Sequence, residues 1–289
     1  MAYKSVETFL SHQSHLSSKT LKKKAFLLSH LETFGEIYTQ RDLSDFVVYL
    51  KGKNLSDSTI RSILREVKAY LEFIGIHLDF KPFMKTLRVY RRAKPFSDEE
   101  LKKFFSALRN YHPIYYVFSL VLLHSGIRVS EALALTSEDF EVKVFRKHTE
   151  DFQDYVEKEV LFVNVKRGKF GKPYRAGMVL LDDKEKDLLK RFIASRKGKP
   201  LWAYVLKYPK SSKEKVLTTH SVHKFYERLS KELGFEIYPH RFRYTYASML
   251  LAKGFSTALV QSWLGHESPN TTLLSYARAM EEVELERWV

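Results

Sequence analysis

Over the first 80 residues, apolar positions return at the spacing of one helical face. Residues 20–34 (TLKKKAFLLSHLETF) set an apolar stripe beside Lys22, Lys23 and Lys24, and Gly35 supplies a stop. Thr39 with Asp42 caps a helix that runs through Leu50, and Gly52 is expected to close it. The clearest period follows Ser56. Ile60, Ile63, Leu64, Val67, Tyr70, Leu71 and Ile74 line one face, while Arg61, Arg65 and Lys68 occupy the other. Residues 77–95 lose this period. Pro82, Pro95 and the basic run Arg88, Arg91, Arg92 and Lys94 read as a linker. The boundary is placed near residue 92, so that a helical unit (1–92) precedes a second domain (93–289).

The second domain opens on Ser97-Asp98-Glu99-Glu100, a capping box in form. Residues 113–124 (PIYYVFSLVLLH) are apolar nearly all round, as a core helix must be. Residues 159–166 (EVLFVNVK) and 174–181 (YRAGMVLL) are β-type runs, and the Gly- and Lys-rich stretch between them is a turn. They predict a hairpin tipped with lysine. The remainder predicts helices over 183–195, 219–233, 240–253, 257–264 and 270–287. The fold class is mainly α with a small antiparallel β-sheet (α+β). No internal repeat breaks this plan.

Charge changes the picture more than composition does. Hydrophobic residues make up 44% of the 289, which is ordinary for a folded chain, but the net charge of +15 points to a polyanionic partner, above all nucleic acid. With no cysteine, disulfides, Cys-type zinc sites and thiol nucleophiles are excluded. The most apolar run, Ile114 to Leu123, is too short to cross a bilayer, and MAYKSVETFL lacks a signal peptide's apolar core. A soluble, cytoplasmic protein is expected. Scarce glycine and 29% charged residues lean toward a heat-adapted host.

Candidate chemistry gathers between Pro239 and Tyr276. His240 and Arg243 share a helical face, His266 follows Leu264-Gly265, and Tyr276 comes ten residues later. Upstream, Arg128 begins a helix just after the buried one, with Glu131 placed to orient it. The hairpin offers Lys166 at the end of its first strand, and Lys169 and Lys172 in its turn. A flexible ammonium suits both phosphate contact and proton donation. Taken singly, each piece also fits an ordinary ion pair, helix end or packed aromatic.

As an ordered set they resemble the tyrosine recombinase (phage-integrase-type) family, most closely its Xer-like members, over nearly the whole chain. SGIRVSEALAL, PHRFRYTYASMLL and WLGHESPNTTLLSYARA are similar to the family's three signature boxes. The N-terminal helices resemble its core-binding domain. The resemblance implies a DNA-clamping bundle, a tyrosine-recombinase catalytic domain and a C-terminal tail helix. Arg128 and Arg243 would bind the non-bridging oxygens of a phosphodiester in double-stranded DNA. His240 would be the general base, Tyr276 the nucleophile, and His266 a further hydrogen-bonding group. The hairpin lysine would protonate the departing 5′-oxygen, Lys166 being favoured over Lys169 and Lys172. No metal or other cofactor is implied, in keeping with the lack of a P-loop, an HExxH run or a carboxylate cluster. Arg61, Arg65, Lys68, Arg91 and Arg92 are expected on the DNA backbone. Family members work as a homo-tetramer on two synapsed sites with tail exchange, which here would run through Met280 to Val289; a tail helix packed on its own domain is the alternative. The implied task is Xer-like resolution of chromosome or plasmid dimers. A mobile-element integrase, a type IB-like topoisomerase and a non-catalytic DNA-binding regulator remain alternatives. Two departures stand out: the step from His266 to Tyr276 is one residue longer than in most Xer-type sequences, and the hairpin is longer than usual.

Overall fold

The structure, a computed structural model, describes residues 5–87, 94–148, 155–166, 168, 172–208 and 211–265. It divides into two units, Met1–Arg91 and Arg92–Val289. Arg88, Arg91, Arg92, Lys169, His266, Tyr276, the helix expected at 270–287 and the tail from Met280 lie outside the described residues.

Unit one is helical: α1 (Val6–Ser11), α2 (Ser18–Phe34), α3 (Gln40–Gly52), α4 (Asp57–Phe73) and α5 (Lys81–Thr86). Gly35 ends α2 at φ 116°, and its N–H donates to the Leu31 carbonyl at 2.9 Å. At the start of α3 the Thr39 N–H donates to Asp42 Oδ2 at 2.8 Å, and the Asp42 N–H to Thr39 Oγ1 at 3.2 Å. Together they quiet two donors that a helix start leaves open. Helix α4 lays Ile60, Ile63, Leu64, Val67, Tyr70 and Leu71 into the core, none more than 1% exposed. Burial of each such side chain contributes about 1.5–3 kcal/mol. Lys24 of α2 meets Glu66 of α4 at 2.6 Å, tying the two helices at the rim of that core.

Two expectations need correcting here. Gly52 does not close α3; it is the last helical residue, and the chain turns at Asn54, φ 52°. Asparagine tolerates that left-handed conformation because its short amide bonds locally. The supposed linker is also shorter than expected. Residues 81–86 form α5, with Phe80 and Leu87 buried in the unit-one core. Pro82 sits in the first turn of that helix, where its missing N–H costs nothing.

Unit two begins with α6 (Asp98–Leu108) and α7 (Pro113–Ser125), then α8 (Val129–Leu133) and a 3-10 turn (Ser137–Asp139). Ten residues of α7 are buried, from Ile114 to Ser125, so this helix is the post around which the unit packs. Next come β1 (Phe140–His148), β2 (Tyr155–Val165) and β3 (Tyr174–Gly177), one antiparallel sheet in that order. The register pairs Phe140 with Val163 and Val165 with Tyr174. The expected hairpin is therefore the last two strands of three. Its second strand stops at Gly177, and Val179–Leu180 turn away toward α9 (Asp183–Ser195). A second sheet, β4 (Ala203–Tyr208) with β5 (Ser211–Val216), stands where no strand was expected. Helices α10 (Thr219–Leu233), α11 (Pro239–Ala252) and α12 (Thr257–Leu264) complete the described part.

Arg241 locks the beginning of this unit to α11. It is 1% exposed, and its Nη2 reaches Glu100 Oε2 at 2.6 Å and the Pro95 carbonyl at 3.2 Å. Its Nε donates to the Lys94 carbonyl at 3.1 Å, its Nη1 to the Glu236 carbonyl, and the guanidinium lies 4.1 Å over the Phe96 ring. Removing one partner of a buried charge pair costs about 3–5 kcal/mol. Arg241→Ala is accordingly expected to lower unit-two stability by about that amount in urea unfolding. A loss below about 1 kcal/mol would show the clamp to be ornamental.

Candidate active site

The turn between α7 and α8 sets the first cationic group. Arg128 is the N-cap of α8, and its backbone N–H and Nη1 donate to the two oxygens of Glu131, each at 2.7 Å. Glu131 is 6% exposed, so this carboxylate is fixed in the protein interior rather than shared with water. Its Oε2 also accepts from the Tyr174 hydroxyl of β3 at 2.5 Å. Burial, then the Glu131 charge and hydrogen bond, push the Tyr174 phenol well above its usual range. Tyr174 stays protonated, a brace and not a nucleophile. The guanidinium of Arg128 is thus aimed by a carboxylate that is itself held from the sheet.

Arg243 of α11 is the second. It is 3% exposed; Nη1 donates to the Gly126 carbonyl at 2.8 Å and Nη2 to the Leu264 carbonyl. A guanidinium carries five N–H donors in a rigid fork, and these two bonds fix its plane. They also bring the end of α7 and the end of α12 to one side chain. The charges of Arg128 and Arg243 both act on His240 and on the Tyr174 phenol, so the two arginines converge on the same groups. Gly265, the left-handed cap of α12 at φ 61°, has no room for a side chain: a Cβ there would lie 2.7 Å from the Tyr174 ring. The same ring that braces Glu131 therefore seats the residue just before His266.

His240 stands in the first turn of α11, three residues before Arg243, and is exposed. Partial burial, then the charges of Arg243, Arg128 and His223, hold its imidazole below the usual 6.5, with Glu131 pulling the other way. It is a neutral ring at pH 7, able to take a proton. Lys166, just past β2, meets the buried carboxylate of Asp139 at 2.8 Å. Val165 beside it pairs with Tyr174, so the backbone of Lys166 follows directly on the end of the β2–β3 ladder. Gly168 and Lys172 are described nearby; Lys169 is not.

Arg128, Glu131, His240 and Arg243 thus act on one another in unit two, while Lys166 of the same unit is held by Asp139. Arg61, Arg65 and Lys68 lie on α4 of unit one, the first half-buried and the others exposed, with Lys68 3.6 Å from Glu72. Tyr174 and Asp139 were missed by the sequence reading. Asp139 had a local signal, since Thr136-x-x-Asp139 is a capping pattern and both Thr136 donors bond its Oδ2, at 2.8 and 2.9 Å. Tyr174 had none, because its partner lies 43 residues away. Among the described residues no group of three His, Asp or Glu could hold a metal ion, and no helix is long and apolar enough to cross a membrane. Two aimed guanidiniums, a neutral imidazole and an ammonium can together grip a phosphate-type anion and move protons on and off it.

The chain matches the Phage integrase family over residues 94–282. A probable integrase/recombinase of Aquifex aeolicus is 38% identical over 93% of this chain and 92% of that protein. The tyrosine recombinase XerA of Pyrococcus horikoshii is 24% identical over 89% of this chain and 82% of that protein. Among solved structures, the integrase of transposon Tn1549 in complex with a circular intermediate DNA has a TM-score of 0.70 at 19% identity, covering 97% of each chain. The XerH recombinase bound to its difH substrate has a TM-score of 0.63 at 19% identity, covering 96% of this chain and 82% of that one.

Proposed function

This chain belongs to the phage integrase family, the tyrosine recombinases, which are DNA strand-exchange enzymes, and from that premise we propose that it is a Xer-like site-specific recombinase. The observation that carries the reading is the convergence of Arg128 and Arg243 beside a neutral His240. Metal-free cleavage of a phosphodiester needs fixed positive charge where the non-bridging oxygens gain negative charge. Two forked guanidiniums supply it.

The Tyr276 hydroxyl, with an ordinary pKa of about 10, gives its proton to His240 as its oxygen attacks phosphorus. The bond to the 5′-oxygen breaks, and that oxygen takes a proton from Lys166. His266 adds a hydrogen bond to the phosphate. The 3′-phosphotyrosyl link retains the bond energy, so the 5′-hydroxyl of another strand reverses the step without a nucleotide triphosphate. Unit one serves as the core-binding domain (residues 1–92 with the linker), laying Arg61, Arg65 and Lys68 of α4, and Arg91 and Arg92, against the duplex backbone. Four chains work in the cytoplasm on two synapsed sites, joined through the tail from Met280. The task we favour is resolution of chromosome or plasmid dimers. The Aquifex relative and the Tn1549 neighbour support a second reading, integration of a mobile element.

To test this, the protein is incubated with a pool of nicked duplexes of randomised sequence, and covalent adducts are captured under denaturing conditions. We expect a DNA-linked peptide containing Tyr276. Linkage to another residue, or no adduct from any duplex, overturns the proposal. Mapping the captured sequence then separates the two roles: one chromosomal site supports dimer resolution, and element ends support integration. Relaxation of any supercoiled plasmid by a monomer would favour a topoisomerase instead.

The pH profile carries a further expectation. The lowered pKa of His240 keeps the base neutral to lower pH than an ordinary imidazole, so cleavage at limiting DNA, which reports the free enzyme, holds to lower pH than it would with an unperturbed histidine. It falls only as pH drops through the lowered value. Single-turnover rates that already fall between pH 8 and 7 would remove His240 from the role of base.

A further inference from the structure

Asp139 carries more than a cap. It ends the 3-10 turn Ser137–Asp139 and is 3% exposed. One oxygen, Oδ2, takes both Thr136 donors, which would be enough for the turn. The other, Oδ1, faces the end of β2 and meets Lys166 Nζ at 2.8 Å. The pair is lopsided: the lysine side chain is 69% exposed and the aspartate 3%. A carboxylate so deep is costly unless a charge answers it. Burial pulls the Asp139 pKa up, but Lys166 and Thr136 outweigh that and keep it ionised. In return the hydrogen bond and charge of Asp139, with a smaller share from Glu138 and against slight desolvation, hold the Lys166 ammonium above its usual range.

The need for such a partner is physical. A lysine side chain carries about 2 kcal/mol of rotamer entropy, and the hairpin offers three lysines, Lys166, Lys169 and Lys172. Nothing in a flexible ammonium selects one geometry. We propose that Asp139 is the positioning residue of the strand-cleavage step: it selects Lys166 among the hairpin lysines, anchors its ammonium at the end of the sheet and delivers it protonated to the leaving group. This rests on the recombinase reading above. As the bond from Tyr276 oxygen to phosphorus forms, the electron pair of the breaking P–O bond goes to the 5′-oxygen. That oxygen takes a proton from Lys166 Nζ, leaving a neutral amine against the Asp139 carboxylate. Religation runs the same transfer backwards, the amine taking the proton of the incoming 5′-hydroxyl. Asp139 itself touches no DNA.

The test compares wild type, Asp139→Asn, Asp139→Glu and Lys166→Ala on two duplexes of the captured sequence. One has the natural oxygen at the scissile 5′ position and the other has sulfur there. A thiolate leaves without a proton, so a defect in proton delivery disappears on the sulfur duplex while a defect in folding or DNA binding does not. Lys166→Ala is expected to lose on the order of 10²–10⁴-fold on the oxygen duplex. Asp139→Asn is expected to lose about 10²-fold, as for a catalytic group displaced by an ångström, with Asp139→Glu between it and wild type. Both defects should vanish with sulfur, and the alkaline limb of Asp139→Asn should move to lower pH. An Asp139→Asn rate and profile equal to wild type overturns the proposal. So does a defect that persists with sulfur, or full activity of Lys166→Ala.

A second measurement uses the unchanged protein and no DNA. Competitive acetylation across pH, read by mass spectrometry, should find the Lys166 amine less reactive than other exposed lysines such as Lys231. Equal reactivity overturns the anchoring even if Asp139→Asn fails to fold. A wild type that forms no adduct on either duplex sinks the recombinase reading, and the acetylation result then decides separately whether Asp139 holds the amine.

Discussion

Arg243→Ala is expected to lose strand cleavage and a large part of unit-two stability together. Removing one preorganised donor to a developing oxyanion costs on the order of 10²–10³ in rate, and a forked guanidinium contributes two. The structural loss comes from the Gly126 and Leu264 carbonyls, both bonded to this side chain. Each bond from a charged donor is worth about 1.5–3 kcal/mol, and the carbonyls would be left buried without it. A dead Arg243→Ala variant therefore proves little alone. The informative partner is Arg243→Lys, which keeps the charge but cannot hold two carbonyls and a phosphate at once. We expect it to recover part of the stability and almost none of the cleavage. Adduct formation in a single turnover, beside a urea unfolding curve, reads both quantities. Full cleavage by either variant would take Arg243 out of the site.

Gly126→Ala is expected to be nearly as damaging, although it removes no functional group. Gly126 sits at φ 62°, where an alanine costs about 1–2 kcal/mol. A Cβ there would lie 2.3 Å from Tyr246 Cδ1 and 2.9 Å from Leu264 Cδ2. Tyr246 cannot swing aside, being fully buried with its hydroxyl on the Gly177 carbonyl at 2.6 Å. Overpacking of this kind adds about 1–3 kcal/mol. For a unit of this size the sum corresponds to a fall in Tm of roughly 4–20 °C. Cleavage should fall as well, because the displaced carbonyl is the one that orients Arg243. A variant that melts within a degree or so of wild type would show that the α7–α8 turn can relax, contrary to this account.

Local chemistry made much of the fold legible. Caps at Ser56, Ser97 and Thr39 and the regular period of α4 mark helices whatever the rest of the chain does. The face shared by His240 and Arg243 follows from helical spacing alone. The four-residue strand β3 was read too long because Met178 continues the apolar run, and its N–H still bonds the Leu161 carbonyl at 2.8 Å. Strand β1, Phe140–His148, was not expected: its run FEVKVFRKH carries a weak alternation that breaks at Val144-Phe145 and ends in three basic residues. Strand β5, SSKEKV, has almost no apolar signal; it exists because β4 pairs with it. The two neighbouring arginines of HRFR are the sharpest case. Sequence could place Arg243 with His240, yet nothing local says that Arg241 points into the core to hold residues 94–100. That division is decided by contacts about 145 residues away, between Arg241 and Lys94, Pro95 and Glu100.

The reach of Arg241 also sets an order of events during synthesis. Unit one owes its core to residues up to Leu87, and its helices pack on near neighbours along the chain. It can close while the rest is still being made. Unit two cannot, because Lys94 waits 147 residues for the side chain that fastens it. At roughly 5–20 residues per second that interval is on the order of 7–30 s, during which the apolar flank of α7 has no lid. The basic bundle can thus be complete well before the side chain that fastens Lys94 has been made.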